Sequence, residues 1–144
     1  MRNHGLVGSL LAMLTMAGTA GCHFGIGTGE GDHSPHIGEA RTALDHDGRN
    51  PTSTFRTTDS PIYCVVPVTN AVSGTKLGVA WWVVDAGGGR FRNQRILTGE
   101  RVLNAGETGI SARLIPSAPL PPGTYKVDLM INDQFDRTLP FTVR

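Results

Sequence analysis

Four sets of side chains in this sequence have types and spacing that suit chemistry. His33 and His36 have a chelating His-x-x-His spacing, and Asp45-His46-Asp47 sets an imidazole between two carboxylates. A metal site also needs fixed partners behind its ligands, and the Gly-rich surroundings of these residues supply none. Asp45-His46-Asp47-Gly48 lacks the alternating aspartates and closing glutamate of a calcium loop. No metal and no cofactor is expected. Trp81-Trp82 is the second set. Successive strand residues point to opposite faces, so one indole enters the core and the other faces outward beside Ala80 and Val84. An open Trp82 makes an aromatic platform for a partner protein or a sugar ring, unless a crossing loop or the Gly87 to Phe91 turn covers it. Arg90, Arg92, Arg95 and Arg101 form the third set, a band of positive charge. Such a band is either a solvated face or a contact for anionic head groups and acidic envelope polymer. Trp82, Arg90, Arg92 and Arg95 are taken together as the candidate binding face. Cys64 is the fourth. It shares the parity of Ile62, Val66 and Val68 and has no charged neighbour to activate it, so it reads as a buried structural thiol.

Catalysis finds little material. From Pro51 onward there is no histidine, which removes histidine-based triads and general-base chemistry from that part of the chain. Asp85, Asp128, Asp133 and Asp136 fall at turns or outward positions. A glycosidase would also need a larger cleft than a domain of this size offers. The expectation is a protein that is not an enzyme.

The elements that must position these residues begin after a targeting segment. The 144 residues allow one ordinary domain plus a tail, and 13 basic against 12 acidic residues give no general attraction for nucleic acid. Arg2 supplies a positive start, and Leu6 to Ala20 is a run of apolar or small residues. That run is shorter than the roughly 20 residues a membrane span needs, but suits a secretory signal. Thr19-Ala20-Gly21-Cys22, which follows, resembles the bacterial lipobox. The resemblance implies that residues 1–21 are a lipoprotein signal peptide and that Cys22 receives lipid at the new N-terminus, giving an exported, membrane-anchored protein. Thr19 stands where that pattern favours leucine. With Cys22 acylated, Cys64 has no intrachain partner, so the domain stands without a disulfide.

Residues 22–50 carry few large apolar side chains and much Gly, His and Asp, and are expected to form a flexible tether. At most, Glu39 to Leu44 forms a transient helical turn. Strand signals then recur from residue 51 to 144. Thr54 to Thr57 is a short first strand. Ile62 to Thr69 alternates, with Pro67 marking an edge or bulge. Lys76 to Asp85 is the most apolar run, with Leu77, Val79, Trp81 and Val83 on one face. Phe91 to Thr98 and Glu100 to Leu103 form a ribbon, and Ile110, Ala112 and Leu114 alternate again. Val127, Leu129 and Ile131, then Leu139, Phe141 and Val143, flank a turn at Asn132-Asp133. The expected fold is all-β.

Leu120-Pro-Pro-Gly-Thr-Tyr125-Lys-Val127 resembles the approach to strand F of immunoglobulin-like and fibronectin type III-like sandwiches, and Trp81 stands where their strand C carries a core tryptophan. The likeness covers residues 53–144 and implies one sandwich of about seven strands, with Tyr125 making a corner bond to nearby backbone. The paired cysteines of antibody domains are absent, and a fold-level likeness carries no activity with it. The expected function is a non-enzymatic, lipid-anchored envelope protein. Its partners would be the membrane, through Cys22, and an envelope protein or polymer. The alternatives are a scaffold subunit of an envelope complex and a carbohydrate-binding module.

Overall fold

The alternation in the last quarter of the chain builds the centre of the larger sheet. In the computed structural model, which describes residues 32–144, β8 (Gly123–Ile131) and β9 (Gln134–Val143) form an antiparallel hairpin. Asn132 and Asp133 join them with φ of 49° and 66°. That is the mirror-image turn whose twist matches the strands it connects. β5 (Lys76–Ala86) pairs with β8, and β6 (Phe91–Val102) pairs with the other side of β5. β3 (Thr54–Phe55) runs parallel to the end of β9, giving the order β3-β9-β8-β5-β6. β6 is one continuous strand where two pieces were expected. Gly99 pairs with Val79 instead of breaking it.

The smaller sheet is centred on β4 (Ile62–Thr69), whose burial alternates as its sequence does. β7 (Gly109–Leu114) lies antiparallel to it. The remaining partners, β1 (His36–Ile37) and β2 (Arg41–Ala43), correct the sequence reading. Both lie inside the stretch expected to be a tether, and Arg41–Ala43 is strand rather than helical turn. The folded unit begins at His33, not Pro51. Its hold on this segment comes from far away in sequence. Arg137 donates from Nη1 to the backbone oxygen of Gly38 at 2.7 Å and from Nη2 to that of Ile37 at 2.8 Å. Ile37 and Ala43 are buried, and the buried Thr42 hydroxyl donates to the Thr52 backbone oxygen. Asp45 is a turn residue: its carboxylate accepts the backbone N–H groups of Arg49 and Asn50, which holds its pKa below the usual carboxylate value.

Pro67 is not on an edge strand, because β2 and β7 both pair with β4. The partner strand yields instead. β1 and β2 are interrupted at Gly38–Ala40 beside the proline, and the Gly38 N–H donates to the Pro67 oxygen at 2.8 Å. A proline has no N–H to offer a ladder, so the break falls where a bond would otherwise be missing.

Between the sheets, Phe141 is the hub of an aromatic core. Its ring centroid lies 5.5 Å from Phe55, 6.1 Å from Trp81 and 5.3 Å from Tyr125. The first two contacts are edge-on and the third stacked, the arrangements that aromatic pairs favour. The Tyr125 hydroxyl donates to the Pro121 backbone oxygen at 2.6 Å, so the corner bond expected from the resemblance is made. Cys64 is fully buried and free, and burial pushes its thiol up to about 12. The chain is an all-β sandwich.

Candidate binding face

The outward side of β5 is organised by the same parity that fills the core. Trp81 is buried, and Trp82 is half-buried on the opposite face. In register, Trp82 lies opposite Arg95 of β6 and Lys126 of β8, and Lys126 lies opposite Pro140 of β9. An irregularity in the β5–β6 pairing between Trp81 and Trp82 leaves Ile96 unpaired, which brings Arg95 level with the indole. The Lys126 ammonium lies 5.4 Å and the Arg95 guanidinium 5.9 Å from the Trp82 ring centroid. Both fall within the range where a cation is attracted to a ring face. These cations from the neighbouring strands flank the ring; a crossing loop or the Gly87 to Phe91 turn was the expected cover.

The electrostatics of this row are one-sided. The Trp82 indole N–H is buried and has no hydrogen-bond partner among the described residues. Lys126 also lies 3.4 Å from Asp128, whose other oxygen accepts the Thr138 hydroxyl at 2.6 Å. The centre of the face therefore offers a partner two cationic donors, and a guanidinium and an ammonium have no acceptor capacity of their own.

The structure brings together only part of the expected cluster. Arg95 joins Trp82. Arg92 instead pairs with Asp85 at 3.7 Å along the exposed strand end, and Arg90 is exposed in the Gly87–Arg90 turn. Arg101 lies elsewhere, bonded to Glu107 at 2.8 Å. Lys126 was missed by sequence reasoning. Its parity marked it as outward, but only the β5–β8 register places it against Trp82.

The earlier boundary at Pro51 also put histidine outside the fold, whereas His33, His36 and His46 belong to the folded unit. His46 packs edge-on against Tyr63 at 6.0 Å, beside Asp47 and Ser111. The Ser111 hydroxyl donates to the backbone oxygen of His46, so this grouping does not place an activated hydroxyl against the imidazole. Among the described residues no group of three or more His, Cys, Asp or Glu is placed to hold a metal ion.

An immunoglobulin-like protein from Pseudomonas aeruginosa superposes over 79% of this chain and 100% of its own, with a TM-score of 0.53 and 14% identity. The fold is immunoglobulin-like. An alkylpurine DNA glycosylase of Pseudomonas fluorescens, solved with DNA containing an abasic-site analogue, matches over 76% of this chain but 30% of its own, with a TM-score of 0.51 and 14% identity. At such identities these likenesses speak to the fold alone. No family model matches the sequence, and no curated protein resembles it closely enough to count as a relative.

Proposed function

We propose that this immunoglobulin-like sandwich is the binding module of a non-enzymatic, lipid-anchored envelope protein. In this reading, the outer face of the larger sheet meets its partner around Trp82. The observation that carries the reading is the row Arg95–Trp82–Lys126, an outward aromatic ring flanked by two cations. Export and anchoring rest on the resemblance of Thr19-Ala20-Gly21-Cys22 to a lipobox, with Cys22 acylated, a chemistry that gives stable attachment when two or more chains are present.

Crosslinking and recovery from intact cells tests the binding face, with the wild type beside Trp82→Ala and Lys126→Gln variants. A partner that depends on both side chains is the expected result. Equal recovery with all three proteins would move the interface elsewhere. Metabolic labelling with a fatty-acid analogue tests the anchor. Label should be lost in Cys22→Ala and retained in Cys64→Ala.

A second reading has its own observation. The edges of β6 and β7 border a cleft in which Val79, Trp81, Leu97, Ile110 and Ala112 are rimmed by Glu100, Arg101 and Arg113, and Leu97 is 47% exposed. Permanent packing of another envelope subunit there would make this chain a scaffold. That version predicts that the chain purified alone self-associates, and that a charge at Leu97 relieves it.

A further inference from the structure

We propose that the ligand of this face is an extended, carboxylate-bearing polysaccharide laid across the strands from Trp82 toward Thr54. The inference rests on the binding-face reading above and names the chemistry of its partner. Its first support is charge. Lys126 is shared with Asp128 and Arg92 with Asp85, but Arg95 has no carboxylate partner among the described residues. Across the Trp82 ring from it stand the remaining donors of Lys126. A carboxylate accepts from both cations, and a guanidinium can meet both its oxygens at once.

The second support is the surface that continues from this row. On the far side of Lys126 a groove crosses β8 and β9 to β3, lined by Val84, Thr124, Thr138, Pro140, Thr142 and Thr54. The Thr142 hydroxyl lies 3.4 Å from that of Thr54, and the Thr124 hydroxyl reaches the Asp85 backbone oxygen at 3.3 Å. Hydroxyls both donate and accept and turn to suit a partner. With the flat apolar surfaces of Pro140, Val84 and the threonine methyls, they match a sugar chain, which alternates hydroxyls with C–H faces. Four strands spaced about 4.8 Å apart make the path about 15 Å long. That is more than one small anion fills, and it favours a polymer. An added peptide strand lies along a sheet edge, parallel to the strands, whereas this groove runs across them.

The test uses the full-length chain in detergent, titrated with oligomers of polygalacturonate, alginate and hyaluronate beside their methyl esters. At least one acidic oligomer should bind, with affinity falling as salt rises and about tenfold or more lost on esterification. Arg95→Gln and Lys126→Gln should each weaken binding at the charged end. Thr142→Val, at the far end, should weaken long oligomers more than short ones. Trp82→Phe, which keeps a ring between the two cations, guards against a misfolded alanine variant. Equal binding of acid and ester would overturn the carboxylate. No binding of any oligomer, with a Trp82-dependent protein still recovered from cells, would overturn the polysaccharide and leave the binding face standing. No oligomer bound and no Trp82-dependent partner would overturn both.

Discussion

The two faces of β5 carry tryptophans one residue apart and put them to opposite uses. Inward, Leu77, Val79, Trp81 and Val83 are all buried, and Trp81 meets the edge of Phe141. Outward, Trp82 follows Gly78 and Ala80, residues too small to cover it, and its neighbours are cations. The inner ring is buried against the aromatic core. The outer ring keeps a buried polar atom with no partner among the described residues. Strand parity alone separates a core residue from a candidate recognition residue, with no change of residue type.

The comparison breaks most readily at Trp81. Trp81→Ala removes a fully enclosed ring from the aromatic core and is expected to cost about 3–5 kcal/mol in denaturant titration. Trp82→Ala loses mainly its contacts with two cations and is expected to cost about 1–2 kcal/mol, while removing partner binding. Similar losses for the two variants would erase the distinction between the faces. Smallest is Tyr125→Phe, expected to cost about 1 kcal/mol by deleting the bond to the Pro121 oxygen. An unchanged midpoint would show that ring stacking on Phe141, and not the hydroxyl, holds that corner.

What could be read beforehand follows how local its causes are. The β8–β9 hairpin, the alternation of β4 and the inward Trp81 are written in neighbouring residues, and the structure has them where the pattern puts them. The tyrosine corner was accessible because Pro121 and Tyr125 lie within one short motif. The N-terminal strand was not. Residues 33–50 offer few apolar side chains of their own, and their order depends on β4 and on Arg137, some hundred residues away along the chain. At the candidate face, Trp82 and Arg95 could be named in advance. Lys126 could not, because inter-strand register is settled by the whole sheet and by irregularities such as Ile96.

Cys64 gives the molecule an internal clock. It is the free cysteine of the described residues, sits at zero exposure on the middle strand of the smaller sheet, and holds its proton up to about 12. Alkylating reagents act on the thiolate, so under native conditions they must wait for the sandwich to part. When reclosing outpaces alkylation, the rate of modification reports the fraction of molecules open at any moment. Trp81→Ala should therefore speed labelling by about a hundred- to a few-thousand-fold, the equivalent of its expected loss of stability. The opening of this fold can thus be timed from within, with no probe added to its surface.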